Sequence, residues 1–416
     1  MRLALVSGHS FPAGGAAVTR ILAFAEAWVD AGHEVVIVLV TQPLAENATP
    51  PGVDAADRWR WVSIATATGR LPGGWRVDVG TRLGATLACL HHEAHLDAVW
   101  VVDRVPWTLH VCRRTGHRLR VPVVHELTEF LEVTDAGHLR AAVERRRMVA
   151  ELRRLDGLLV ISRALGAFAD EVGIRHVLLT GPMVHLEDRS PPPADADEGD
   201  GDGDGDGLVV RIGYAGTISQ AKDGVLDLVS AVAMLHAERP ELRVELTVLG
   251  SGPDEQAVRD RAEALGIADL VELPGRLTPT ALAEALTRFR VLTLPRPDSR
   301  QALGGFPTKL GLYLLSGRPV VATRTGDVDY YLEDGVNAYL VPSDDPAAFA
   351  RALATVVDDP AGAEEVGQQG RQACADGRFA ASRRVQEITP FLRTAAEARA
   401  ASSSPEPQAP DAGRDA

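Results

Sequence analysis

Short apolar runs alternate with longer amphipathic stretches along most of the chain. Residues 3–7 form a run apolar enough for a buried strand. Residues 16–31 carry Val18, Leu22, Ala25 and Val29 at three- and four-residue steps, the period of a helix. Gly32 closes that helix as a C-terminal glycine, and residues 34–40, rich in valine and isoleucine, follow as a strand. Further strands are predicted over 98–102, 121–125 and 158–162. Strand and helix in repetition imply a parallel sheet covered on both faces.

The pattern breaks at Pro191, Pro192 and Pro193 and at the acidic glycine run that ends at Gly207, a stretch too polar to bury a core. It then resumes. Strands are predicted over 209–214, 242–249, 270–273, 290–294 and 319–323, with helices over 224–237 and 254–265, the second closed by Gly266. The predicted architecture is α/β, with two Rossmann-like doubly wound domains facing across a cleft. Residues 1–186 form the first domain, 187–207 a linker and 208–400 the second domain. A final helix near 384–400 crosses back, and the aperiodic tail 401–416 is disordered. Ligands of such sheets bind at the carboxyl ends of the strands, so the cleft is the expected site.

Charge changes this picture little. The net charge of −14 argues against a nucleic-acid partner. Residues 187–206 hold nine acids and one base, Arg189, and supply eight of those fourteen charges. Asp200, Asp202, Asp204 and Gly205 imitate the start of a calcium loop. Arg211 stands where the closing glutamate belongs, so a solvated linker is the reading and no metal is expected. The three cysteines, Cys89, Cys112 and Cys374, are far apart and show no CxxC spacing, which points to a reducing cytoplasm. No secretory signal and no apolar run of about 20 residues is visible, so a soluble protein is expected.

Three segments carry candidate chemistry. Gly8, His9, Pro12, Gly14 and Gly15 lead from the first strand into a helix, where free amides favour an anion. The segment lacks the full GxGxxG pattern, which lowers the case for a dinucleotide dehydrogenase. Gly213 to Thr217, including Gly216, end a strand shortly before Lys222-Asp223-Gly224. Gly304-Gly305-Phe306-Pro307-Thr308-Lys309 precede a helix whose first turn would carry Thr308 and Lys309, a cradle suited to pyrophosphate.

Taken in order, these pieces resemble the retaining glycosyltransferases of family four, the group 1 glycosyl transferases with the two-lobed GT-B fold. The resemblance also rests on Val248-Leu249-Gly250-Ser251-Gly252-Pro253, Val271-Glu272-Leu273-Pro274-Gly275-Arg276, Gly317-Arg318-Pro319-Val320-Val321-Ala322 and Asp334-Gly335-Val336-Asn337. The first half adds Gly14-Gly15 and Ala31-Gly32-His33-Glu34-Val35. The resemblance implies transfer of a sugar from a nucleoside diphosphate to an acceptor hydroxyl, with retained configuration and without metal or cofactor. By the same resemblance Lys222 and Lys309 stabilise the departing diphosphate and Gly275 and Arg276 meet the base. His125, placed at a strand end, faces the reacting sugar; a hydrogen-bonded structural histidine is the other reading. Gly14, Gly15, Gly216, Thr217, Gly250, Gly305, Phe306, Pro307 and Thr308 complete the donor site. The acceptor (glycan, lipid-linked or small molecule) is left open.

The sequence departs from the family in one place. The glutamate that usually grips the ribose, one residue before Tyr313, is Leu312, and the earlier acid of the same signature is Gly305. These two residues raise the alternative of an inactive GT-B protein that binds a partner. A GT-B epimerase would need cleft carboxylates that the sequence does not single out. First-domain stretches 41–61 and 71–81 are read as variable loops that choose the acceptor. His91, His92 and His95 are read as a solvated helix face. The basic stretch 145–154 is read as a core-packed helix with an arginine-rich outer face. A peripheral contact with the inner membrane face, as in some relatives of this kind, is its alternative.

Overall fold

The computed structural model describes residues 1–9, 16–40, 59–64, 74–103, 105–131, 138–183 and 209–401. The first sheet contains β1 (Arg2–Ser7), β2 (Glu34–Leu39), β3 (Trp59–Ser63), β4 (Ala98–Val101), β5 (Val123–Leu127), β6 (Gly157–Val160) and β7 (Val177–Leu179). The second contains β8 (Val209–Thr217), β9 (Arg243–Ser251), β10 (Val271–Gly275), β11 (Val291–Leu294), β12 (Val320–Thr323) and β13 (Tyr339–Val341). All described pairings within these sheets are parallel. The strand orders are β3-β2-β1-β4-β5-β6-β7 and β10-β9-β8-β11-β12-β13. Each order reverses once, beside β1 and beside β8. A crevice therefore opens at the carboxyl ends of β1 and β4, and another at those of β8 and β11.

Burial explains why the strands read clearly. Residues of β1, β4 and β11 are buried throughout, so their sequences are mainly apolar and show no alternation with exposed polar positions. Helix Ala16–Asp30 buries Val18, Ile21, Phe24, Ala25 and Trp28 against the first sheet, and Gly32 ends it with φ +80°.

Two stretches expected to be acceptor loops hold regular structure instead. Part of the first is β3, an edge strand on β2 whose residues are partly buried or exposed, so no apolar run marks it. Most of the second belongs to the long helix Gly74–Glu93. Its Gly80 and Gly84 weaken helix propensity but leave room for Trp107 and Thr115 of the helix Pro106–Leu119. His91 and His92 lie in the last turn of the long helix, His91 half-buried and accepting from the Leu96 amide, and the exposed His95 follows the helix end at Glu93, so the three do not form one solvated helix face.

Helix Ala381–Ala401 lies on the first sheet although it follows the second in sequence. Val385, Ile388 and Leu392 share a core with Leu3, Leu5, Trp28 and Trp100. Phe391 stacks on His176 at 4.1 Å and occupies space left by Gly157, and Arg399 pairs with Asp156 at 3.2 Å. Helix His138–Leu152 buries Met148 and Leu152 and exposes Arg145, Arg146 and Arg147. Among the described residues no helix is long and apolar enough to cross a membrane. The linker 187–207, the tail beyond Ala401, and Pro12, Gly14 and Gly15 lie outside the described residues.

Candidate active site

A cavity of about 520 Å³ lies between the two sheets, and the carboxyl ends of β8, β9 and β10 form one wall of it. Gly216, Thr217, Lys222, Gly250, Arg276, Gly305, Phe306, Pro307, Thr308 and Lys309 all line it. The structure thus brings together most of the residues that the sequence singled out.

The second domain positions this cluster through close backbone approach. Gly216 and Gly250 are paired neighbours at the ends of β8 and β9, and a Cβ on Gly250 would stand 1.8 Å from the Gly216 carbonyl oxygen. A Cβ on Gly216 would stand 2.2 Å from the Lys309 Nζ. Two glycines therefore make the space into which the lysine reaches. Lys309 begins the helix Lys309–Leu315, with Thr308 as its N-cap residue. Its Nζ donates to Asp223 Oδ1 at 2.9 Å and to the Tyr214 hydroxyl at 2.7 Å, and it lies 4.3 Å from the centre of the Tyr214 ring. The Tyr214 hydroxyl in turn donates to the Thr217 carbonyl at 2.6 Å. One turn along the same helix, the Tyr313 hydroxyl accepts from the Ala215 amide at 2.6 Å and fixes the helix under β8. Burial lowers the Lys309 pKa to about 8, against the opposing pull of Asp223.

Lys222 also lines the cavity and pairs with Glu129 of the first domain at 2.7 Å. The domains also meet through Ser162 Oγ, which donates to the Gly304 carbonyl at 2.8 Å, and through Arg163, which pairs with Asp327 at 2.9 Å. The first-domain wall includes His9, Arg20, Thr128 and Glu129, and Arg20 is held by the buried Glu126 at 2.6 Å.

Two expected positions differ. Gly275 does not line the cavity; it turns the chain with φ +88° so that Arg276 enters instead. His125 does not line the cavity either. Strand β5 continues through Leu127, and Thr128 and Glu129 are the residues that emerge at its edge. His125 is fully buried, and its Nδ1 donates to the Val101 carbonyl at 2.9 Å. Its Nε2 has no partner among the described residues, and burial lowers its pKa to about 4, so the ring is neutral near pH 7.

Sequence reasoning gave no role to Asp223, Glu129 or Arg296. Arg296 is 2% exposed and lines the cavity. Its guanidinium donates to the Ala302 and Gly305 carbonyls at 2.9 and 3.1 Å, which fixes the turn that leads to Lys309. The available signal was Pro295-Arg296-Pro297, a rigid cationic turn directly after an apolar strand.

Residues 210–359 match the model of the family described as glycosyl transferases group 1. That stretch of the C-terminal domain is what the chain shares with glycosyl transferases group 1. The D-inositol 3-phosphate glycosyltransferase of Streptomyces avermitilis is 27% identical over 298 residues, which cover 67% of this chain and 61% of that protein. The protein of that name from Arthrobacter sp. is 30% identical over 42% of this chain and 40% of its own length. The chain thus spans 61% to 63% of the curated Streptomyces relatives it matches over the greatest share of its own length. Among solved structures, sucrose-phosphate synthase from Thermosynechococcus elongatus has a TM-score of 0.70 at 18% identity. The match covers 96% of this chain and 100% of that one. Anabaena HepE in complex with UDP-glucose also has a TM-score of 0.70, at 16% identity, over 95% and 100% of the two chains. The chain therefore has the two-domain GT-B fold along its described length, and its Lys222, Lys309 and Arg276 face the cleft of that fold.

Proposed function

We propose that this chain is a glycosyltransferase that moves a sugar from a nucleoside-diphosphate donor to an acceptor hydroxyl with retained configuration. The observation that carries the reading is the pair of ammonium groups, Lys222 and Lys309, in a cleft cavity beside the glycine-lined ends of β8 and β9. When the bond from the sugar to the terminal phosphate oxygen breaks, negative charge grows on the diphosphate. Two cations held in a low-dielectric cleft stabilise it without a metal ion. The names of the relatives and the UDP-glucose bound to HepE support the same donor class. They give no support to the non-catalytic alternative raised by Leu312 and Gly305. A cytoplasmic location belongs to the same proposal. So does a resting contact of Arg145, Arg146 and Arg147 with an anionic membrane surface.

Calorimetric titration with UDP, GDP, ADP and dTDP tests the reading, followed by assay of diphosphate release from the matching sugar nucleotide. Binding of one base class is expected. A folded protein that binds none of them overturns the proposal.

The pH dependence gives a second expectation. Lys309 must be charged to hold a diphosphate, and its folded pKa is about 8. Affinity should stay level up to about pH 7 and fall above pH 8, by up to about tenfold per unit, as the unliganded lysine loses its proton. Calorimetry across that range checks it, and a level profile to about pH 9.5 would remove Lys309 from the anion site.

A further inference from the structure

Each ammonium group of the cleft already holds a carboxylate. Lys309 pairs with Asp223 at 2.9 Å and Lys222 with Glu129 at 2.7 Å, and all four residues line the cavity. A diphosphate that enters must share these cations or take them. The two pairs differ in how readily they yield. The side chains of Lys309 and Asp223 are only 15% and 5% exposed, so opening that pair strands a charge away from water. Those of Lys222 and Glu129 are 33% and 26% exposed. Water reaches both ends of this second pair, so its opening costs little. Glu129, supplied by the first domain, is thus the carboxylate that gives way.

It does not leave the cleft when it does so. Glu129 stands between Thr128 and Phe130 in the segment that follows β5. Phe130 fills the space left by Gly304, where a Cβ would stand 2.4 Å from its ring, and the Arg300 guanidinium lies 4.7 Å from the centre of that ring. Ser162 Oγ holds the same Gly304 by its carbonyl. The segment therefore stays docked on the second domain when the ion pair opens, and only the Glu129 side chain has to turn. A carboxylate held in this way opposes a diphosphate twice, by occupying Lys222 and by like-charge repulsion at short range.

We infer that Glu129 is an internal competitor for the diphosphate site. Its carboxylate holds Lys222 while the site is empty, yields it to the donor, and takes it back when the nucleoside diphosphate leaves. The inference rests on the donor-site reading above and concerns the regulation of that same site. What carries it is the placement of an accessible ion pair, built from both domains, inside the cavity. The interdomain pair of Arg163 with Asp327 lies outside the cavity lining and has no such access to the ligand.

The test is calorimetry on the full chain with UDP, GDP, ADP and dTDP, comparing wild type with Glu129→Gln, which keeps the shape and removes the charge. The nucleotide that binds wild type should bind the variant about fivefold more tightly, the factor that corresponds to the upper range for a partly exposed ion pair. A merely structural link would act with the opposite sign, because its loss loosens the wall of the site and weakens binding. Glu129→Ser serves if the glutamine variant does not fold. Arg163→Gln is the control, since it breaks the interdomain pair outside the cavity and should leave affinity unchanged. Equal tightening in both variants would assign the effect to domain opening and overturn the inference, as would unchanged or weaker binding by Glu129→Gln. Both of those results leave the donor-site reading standing, because wild type still binds. Failure of every nucleotide to bind either protein overturns both.

Discussion

Lys309→Met should weaken diphosphate binding by about 1–3 kcal/mol, the range for a charge-assisted hydrogen bond, and should also destabilise the fold. The two effects have different causes. The first removes a cation from the anion site. The second leaves Asp223 without its partner, and Asp223 is nearly inaccessible, with its side chain 5% exposed. An orphaned buried charge of this kind costs about 3–5 kcal/mol. The double variant Lys309→Met/Asp223→Asn separates them. It removes the stranded charge, so denaturant midpoints should recover most of the lost stability, while nucleotide affinity should stay low. If the double variant regains affinity along with stability, Lys309 acts by holding the domain together and not by meeting the ligand. If the single variant loses neither, the cradle is wrong.

Gly250→Ala should be comparably severe, and by a purely steric route. Gly250 has φ +134°, and the added methyl would stand 1.8 Å from the Gly216 carbonyl oxygen. No rotamer relieves a clash with backbone. The ends of β8 and β9 must separate, and the opening left by Gly216 for Lys309 is lost with them. Strain and overpacking together should cost about 3 kcal/mol or more. Gly266→Ala is the control. Gly266 also has positive φ, +70°, but nothing lies within 4 Å of its would-be Cβ. That substitution should cost only the backbone term of about 1–2 kcal/mol. Urea unfolding of the pair decides the matter, because equal losses would mean that the close approach of β8 and β9 is not constraining.

Neither effect involves the other wall of the cavity. There the first domain presents Thr128 and Glu129 at the edge of β5 and keeps His125 beneath it. His125, which the family resemblance set facing the reacting sugar, lies beneath the edge as a hydrogen-bonded structural histidine, because two further residues of strand follow it. Sequence reading also turned β3 and the first turns of helix Gly74–Glu93 into loops. An edge strand has no buried run to announce it, and a helix containing Gly80 and Gly84 is helical because of what packs on it.

The amino-acid sequence by itself determined the doubly wound α/β class, because strands buried on both faces must be mainly apolar and helices must carry a stripe. It also marked the Gly216, Gly250 and Thr308–Lys309 neighbourhoods, since glycine beside lysine at the end of a buried strand is a local signal. Tertiary structure alone decided the partners. Asp223 meets Lys309 from 86 residues away, Glu129 meets Lys222 from 93, and Ser162 meets Gly304 from 142. The final helix returns to the first sheet through Val385, Ile388 and Leu392, whose spacing states that they are buried but not against what. Periodicity is a property of neighbours in sequence. The pairing of a charge, or the face that covers an apolar stripe, depends on which distant residues the folded chain brings to the same place.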